Sequence, residues 1–245
     1  MTFIADLLPL TGAGILGADI WLGIREADLI GKISLISCMI LSVISWAIIV
    51  YKWLQFRQIN RQTESFVAEC LDGHGSIEEA YRASVDYPDS PLAEILREAV
   101  VELEVEGWFR EGYNLNLEDR LHLAQNSVER VVERTIASET RSLESHLIFL
   151  ATTASVSPFI GLFGTVWGVL AAFQALGISG SGAVQTLGPG ISTALVATVA
   201  GLFAAIPAQL FYNWFIARVA QVTHRMDAFA LELANIIQRR IARDG

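Results

Sequence analysis

From Leu147 to Ala217 the chain has 71 consecutive residues without Asp, Glu, Lys or Arg. A soluble core of this size does not hide such a stretch, since about a quarter of the residues in soluble domains are charged. At about 1.5 Å of rise per residue, one helix of this length would far exceed a hydrocarbon core of about 30 Å. The turn-forming segment Gly177–Gly182 divides the stretch. The sequence therefore predicts two membrane-spanning helices here.

A second uncharged run, Ile33–Tyr51, is bounded by Lys32 and Lys52. As a helix its 19 residues would span about 28 Å, close to the thickness of the hydrocarbon core. Neither this run nor the last apolar segment is followed at once by a helix breaker, so both helices are expected to continue past the bilayer. The predicted fold is an all-α membrane protein with three transmembrane helices, two of them extending into a cytosolic helical bundle.

The distribution of Lys and Arg predicts the orientation, because cytoplasmic flanks carry an excess of both. The loop between the second and third spans has neither residue, whereas five arginines follow the third span. The N-terminus is therefore expected in the periplasm and the C-terminus in the cytoplasm. The predicted segments are an outer N-terminal segment 1–30, spans 31–53, 149–176 and 188–213, a cytosolic helical region 54–148, a periplasmic loop 177–187 and a cytosolic helix 214–245.

Two local patterns refine the cytosolic region. Ser90-Pro91 predicts a helix start, with serine as the N-cap and proline at the first helical position. From Leu117 no Gly or Pro occurs before Pro158, so one uninterrupted helix is expected to run from Leu117 directly into the second span.

Other motifs give no catalytic, cofactor or metal site. Gly12-Ala-Gly14-Ile-Leu-Gly17 matches a dinucleotide fingerprint by its letters, but the strand and βαβ unit that such a site needs are missing around it. The two cysteines and four histidines are scattered. Residues 57–146 hold 19 acidic and 9 basic side chains, which argues against nucleic acid as a partner. The chain is expected to contact membrane lipid, and not to be an enzyme.

Small residues follow three- and four-residue steps along the last two spans, and each stripe contains one central threonine. The first stripe consists of Ala154, Pro158, Gly161, Thr165, Gly168 and Ala172. The second consists of Gly190, Ala194, Thr198, Gly201, Ala205 and Ala208, with Pro207 beside it. The two threonines are about equally far from the middle of the outer loop, which places them at similar depth. The prolines and glycines are predicted to shape the helices.

Two interpretations of these stripes remain open. Small residues let helices approach each other, so packing alone explains either stripe. Two matched stripes favour a face that lines an ion path. Such a path ordinarily carries an ionisable residue within a span, and these two spans have no Asp, Glu, Lys, Arg or His. A proton route along the threonines would therefore need a titrating group from another polypeptide, which predicts an obligate partner helix.

Three motifs carry a resemblance to a known family. Ser157-Pro-Phe-Ile-Gly-Leu-Phe-Gly-Thr-Val-Trp-Gly168 resembles the signature of the TolQ/ExbB/MotA family of proton-channel motor subunits. So do Pro189-Gly-Ile-Ser-Thr-Ala-Leu-Val-Ala-Thr-Val-Ala-Gly-Leu-Phe-Ala-Ala-Ile-Pro207 and Ser45-Trp-Ala-Ile-Ile49. The resemblance covers nearly the whole chain, and the wording of the first two motifs is closest to the TolQ branch.

The resemblance implies a proton-motive-force-driven stator subunit in a bacterial inner membrane, converting ion flow into mechanical work on the cell envelope. It implies a homopentamer around a dimer of a single-span partner of the TolR/ExbD/MotB type, whose transmembrane Asp carries the proton. Thr165 and Thr198 match the threonines that face this Asp. Pro158 and Pro207 match family prolines that shape the helices.

One departure from the family pattern is Thr193, which stands where TolQ and ExbB commonly carry a Glu. We group it with the other two threonines as a pore-lining residue. The departure keeps open a stator of a gliding-motility motor or another specialised motor of the family. Two further hypotheses are a passive membrane scaffold without an ion path and a channel that needs no partner. H⁺ is favoured over Na⁺ only by the resemblance to TolQ.

Overall fold

The computed structural model describes residues 28–68, 77–110, 117–179 and 184–244, and its described residues form helices without a strand. The helices are α1 (Leu29–Phe66), α2 (Ile77–Ser84), α3 (Pro91–Arg110), α4 (Leu117–Glu144), α5 (Leu147–Ser179) and α6 (Val184–Asp244). The predicted all-α class is confirmed. The expected outer segment up to residue 27, with its glycine motif, lies outside the described residues, as do Cys70 and His74.

Three helical segments are long and apolar enough to cross a membrane: Leu29–Phe66, Leu147–Gly177 and Gly190–Arg239. The predicted three-span membrane architecture is therefore confirmed. At 38 and 61 residues, α1 and α6 exceed the length that a bilayer needs, as expected for helices that continue beyond it. The limits of the spans and the sides of the membrane that the termini occupy stay predictions.

The chain divides into two compact units, and the first comprises Met1–Ile49 and Ile148–Tyr212. Its described part consists of the first half of α1, α5 up to Ser179, and the apolar part of α6. The interior is built from small and hydroxyl-bearing side chains, among them Cys38, Thr153, Ser157 and Ala197, whereas large apolar side chains face outward. This pattern is typical of helices in lipid, where small residues allow close packing and lipid solvates the large ones.

The second unit comprises Val50–Leu147 and Asn213–Gly245. Within it the C-terminal parts of α1 and α6 pack side by side and carry buried residues at steps of three or four, as in a coiled coil. The buried positions are Lys52, Phe56, Ile59, Thr63 and Phe66 on α1, and Phe215, Val219, Val222, Met226, Phe229, Leu233 and Ile237 on α6. Phe56 stacks on Phe215 with ring centroids 5.7 Å apart. Phe66 packs edge-on against Phe229 with centroids 6.5 Å apart, so aromatic contacts join the two helices.

Helices α2, α3 and α4 complete the second unit, with α3 packed against both of the others. The predicted start of α3 is confirmed, since the Ala93 amide donates to the Ser90 hydroxyl at 3.5 Å and Pro91 is the first helical residue. Ile95 and Leu96 are buried on the inner face of α3. The N-cap and this apolar face together explain why the helix begins and packs where it does.

The expected uninterrupted helix from Leu117 into the second span is wrong. The structure ends α4 at Glu144 and begins α5 at Leu147. Between them His146 has a φ of 67°, in the left-handed region. This conformation is disfavoured for residues other than glycine, with histidine among the more tolerant ones. The interruption is therefore not explained by a glycine or a proline in the sequence.

Glu139 on α4 is a half-buried carboxylate in the second unit, and burial raises its pKa, with a further rise from Glu94 and an opposing effect of Arg97. Because the pKa is higher in the folded state than in the unfolded one, ionised Glu139 destabilises the fold at neutral pH. This cost disappears as the pH falls below the ordinary pKa of 4.5.

We therefore expect Glu139→Gln to raise the melting temperature of the detergent-solubilised protein at pH 7.5. The gain should shrink as the pH approaches about 4.5, where the native carboxyl is also neutral. Glu133→Gln, an exposed carboxylate on the same helix, is the control and should have little effect. A loss of stability in Glu139→Gln at neutral pH would contradict the role of burial.

Candidate functional site: the threonine pair

The structure brings Thr165 on α5 and Thr198 on α6 into direct contact, with the two Oγ1 atoms 2.5 Å apart. Both side chains are half-buried within the first unit. The sequence placed the two threonines at similar depth, and in the structure their hydroxyls form a hydrogen bond between the helices. Their role in an ion path stays a prediction.

Backbone carbonyls complete the surroundings of this pair. The Thr165 hydroxyl lies 2.9 Å from the Ala194 carbonyl oxygen and 3.2 Å from that of Gly161. The Thr198 hydroxyl lies 3.4 Å from the same Gly161 oxygen. Two hydroxyl hydrogens thus have several acceptors within reach, so the pair can exchange donors and acceptors without breaking the helices.

Glycines allow α5 and α6 to approach closely enough for this contact. A Cβ added to Gly161 would lie 2.7 Å from the Ala197 carbonyl oxygen, and one added to Gly201 would lie 2.5 Å from that of Ser157. A Cβ on Gly168 would lie 2.7 Å from the Ala194 Cβ. These distances are shorter than van der Waals contact. The predicted small-residue stripes therefore form the α5–α6 contact, and the threonine pair is embedded in it.

The two prolines lie inside their helices, Pro158 in α5 and Pro207 in α6, and both are half-buried. A proline within a helix has no N–H for the carbonyl four residues earlier, so one backbone acceptor is freed in each span. The helix-shaping role assigned to them stays a prediction.

Thr193 is separate from the threonine pair. It lines a cavity of about 170 Å³ in the first unit, together with Gly168 and Ala172 of α5 and with Asp28 and Leu35. Asp28 precedes α1 and accepts a hydrogen bond of 2.8 Å from the Trp167 indole N–H, which lowers the pKa of this carboxyl. The structure thus joins two of the three predicted pore-lining threonines and places the third among different neighbours.

Sequence reasoning missed one residue of the second unit. Lys52 bounds the first apolar run, where a lysine ordinarily extends to the membrane surface. Its side chain is instead completely buried. A signal was present, because Lys52 continues the three- and four-residue spacing of the buried α1 positions Ile49 and Phe56.

Known proteins resemble this chain over most of its length. The model of the MotA/TolQ/ExbB proton channel family matches residues 89–228, more than half of the chain and both threonines. The chain belongs to this family. It is similar to the Tol-Pal system protein TolQ of Pseudomonas aeruginosa, with 32% identity over 227 residues that cover 91% of this chain and 94% of TolQ.

Two further family members are biopolymer transport proteins named ExbB. The protein from Pseudomonas putida is 30% identical over 229 residues, which cover 92% of this chain and 65% of the relative. That from Salmonella typhimurium is 31% identical over 202 residues, which cover 82% and 79%. These similarities and the three apolar helices identify a multi-pass bacterial inner-membrane protein of a proton channel family, and they confirm the resemblance seen in the sequence.

Proposed function

We propose that the chain is a stator subunit that couples proton flow across the inner membrane to mechanical work on the cell envelope. The observation that carries this proposal is the contact between the Thr165 and Thr198 hydroxyls, inside two predicted spans that hold no Asp, Glu, Lys, Arg or His. The proton-binding group would then belong to a partner, a single-span protein of the TolR/ExbD/MotB type with a transmembrane Asp. Copies of the chain would form a pentamer around a dimer of this partner.

The hydroxyl pair suits a carboxyl group in either protonation state. A hydroxyl both donates and accepts, so it can accept a hydrogen bond from the protonated acid and donate one to the carboxylate. When Thr165 donates to the Ala194 carbonyl and Thr198 donates to Thr165, the Thr198 oxygen can accept a hydrogen bond from the protonated carboxyl group of the partner. Reorientation of the Thr198 hydroxyl would then stabilise the carboxylate by about 1.5–3 kcal/mol. A difference of this size biases protonation between two positions of the partner.

The proposed orientation in the membrane is based on the arginines after the third span, because cytoplasmic flanks carry an excess of Lys and Arg. With the C-terminus in the cytoplasm and the N-terminus in the periplasm, α1 and α6 would carry the cytosolic bundle. Thr193, in place of the Glu common in TolQ and ExbB, favours a specialised branch such as a gliding-motility stator as the second candidate. The close glycine contacts would equally serve a passive scaffold, which differs from a stator in having no proton path.

A reconstitution experiment tests the proposal. The chain is placed in liposomes that contain a pH-sensitive dye, alone and with the single-span protein that copurifies with it. We expect proton uptake under an imposed membrane potential only when both proteins are present. Uptake by the chain alone would favour an independent channel. Cellular function that survives a protonophore would favour the scaffold.

A further inference from the structure

The helix break between α4 and α5 is not explained by the local sequence. Neither glycine nor proline occurs from Leu117 to Ser157, yet the helix is interrupted at Ser145–His146. Among the described residues, His146 is the sole non-glycine residue with a positive φ. A continuous helix would avoid this conformation. The interrupted form must therefore be stabilised by hydrogen bonds and packing at the break, and not by a helix-breaking residue.

Lys52 of α1 meets this segment directly. Its Nζ donates to the Leu143 carbonyl at 2.8 Å and lies 3.4 Å from that of Ser142. The same atom reaches the Ser145 hydroxyl at 3.3 Å and the Gln55 side-chain oxygen at 2.9 Å. All four of these acceptors are uncharged. A completely buried ammonium thus lies at the C-terminal end of a helix, where the free carbonyls and the helix dipole favour a cation.

The contacts match what the interruption exposes. In a continuous α-helix the carbonyls of Ser142 and Leu143 would accept from the amides of residues 146 and 147. At the break the Ser142 oxygen accepts instead from the Ser145 amide at 3.3 Å and the Ser145 hydroxyl at 2.7 Å, whereas the Leu143 oxygen accepts from Lys52. The His146 ring packs edge-on against Tyr51, the neighbour of Lys52, with centroids 6.0 Å apart. α1 therefore contributes two consecutive side chains to one turn of the chain.

We propose that Lys52 is a positioning residue that holds the helix open at Ser145–His146 and so sets where α5 begins. The segment then has two available forms: an interrupted one held by Lys52, and a continuous helix that its own sequence prefers. The role of Lys52 in the break does not rest on the proposed function.

Hydrogen exchange of the detergent-solubilised protein tests this assignment. In the interrupted form the first amides of α5, residues 147–149, lack carbonyl acceptors within their own helix. Lys52→Met keeps most of the side-chain volume and removes the donors, so the helix should close. We expect exchange of these amides to slow by about tenfold or more. Lys52→Arg should keep the fast exchange, because it retains a cation with several donors.

A second substitution separates this role from simple packing. His146→Gly removes the cost of the left-handed conformation, so the double variant Lys52→Met/His146→Gly should regain fast exchange. His146→Ala with Lys52 intact should slow exchange in the same direction as Lys52→Met. Arg57→Met is the control, because Arg57 is an exposed cation of α1 that lies over the Trp53 ring.

Three results would overturn the proposal: wild-type exchange in Lys52→Met, no restoration by His146→Gly, or a closed helix in Arg57→Met. If Lys52→Met does not fold, His146→Ala decides, since unchanged exchange in that variant excludes a two-state segment. Proton uptake in liposomes is measured separately. If the exchange results confirm the role of Lys52 but the wild-type protein shows no proton uptake with its partner, only the proposed function is contradicted.

Discussion

Thr198→Val is expected to reduce proton uptake strongly while leaving the protein folded, assembled and in the membrane. Valine has nearly the shape of threonine, so the α5–α6 contact is retained and only the hydroxyl is lost. A hydrogen bond to a charged group is worth about 1.5–3 kcal/mol, so proton uptake should fall by about tenfold to a hundredfold. Thr165→Val should act similarly, because each hydroxyl orients the other. Liposome proton uptake with the partner measures the effect.

Thr152→Val is the matched control for the threonine pair. Thr152 lies on α5 as well, but it is exposed and its hydroxyl donates to the Ile148 carbonyl of its own helix at 2.9 Å. This variant should retain uptake, and so should Thr198→Ser, which keeps the hydroxyl. The alanine variants of Thr165 and Thr198 are also expected to assemble without function. Full activity in Thr198→Val would show that the pair serves packing alone.

The sequence predicted well those features that depend on whether a helix lies in lipid or water, or on the helical period of about 3.6 residues. A run of 71 residues without Asp, Glu, Lys or Arg leaves a membrane as the only consistent environment. The three- and four-residue spacing of Gly161, Thr165, Thr198 and Gly201 placed these residues on one face of each span. Because two spans joined by a short outer loop must run antiparallel, equal distances from that loop already implied equal depth.

The features that the sequence did not reveal depend on contacts between distant segments. The turn at Ser145–His146 has no local breaker, and it is stabilised by a lysine 90 residues or more away in the chain. No periodicity in residues 117–158 contains that information. Thr193 illustrates the same limit. It lies only five residues from Thr198, but a helix turns about 100° per residue, and the two side chains therefore have different neighbours.

Packing and an ion path were competing interpretations of the sequence, and the residues that each of them involves lie together in the structure. The carbonyl of Gly161 lies near both threonine hydroxyls, and the absence of a Cβ on Gly161 admits the backbone of α6 at Ala197 and Thr198. A passive scaffold would require the glycines but not the hydroxyls. Variants of the two residue types therefore answer different questions.

Gly201→Ala is expected to give the second large effect, by separating α5 from α6. The added Cβ would lie 2.5 Å from the Ser157 carbonyl oxygen and 3.1 Å from the Gly161 Cα, both of them backbone atoms that no side-chain rotation can move away. Overpacking of this kind typically costs about 1–3 kcal/mol. In a membrane the loss is not offset elsewhere, because close van der Waals contact is itself a main source of helix association. The midpoint of SDS-induced unfolding should fall measurably.

Gly177→Ala on α5, the other helix of the contact, provides the control, since a Cβ at the exposed Gly177 would meet no neighbouring atom within 4 Å and no proline directly follows it. It should unfold at the wild-type midpoint or slightly above it, because alanine favours the helix more than glycine does. Gly201→Ala should also impair proton uptake, since the displaced backbone includes the Gly161 carbonyl that both threonines approach. If Gly201→Ala lowered stability but left uptake intact, the spacing of α5 and α6 would not control the threonine pair. Equal midpoints for both variants would instead mean that the helices are farther apart in the membrane than this packing requires.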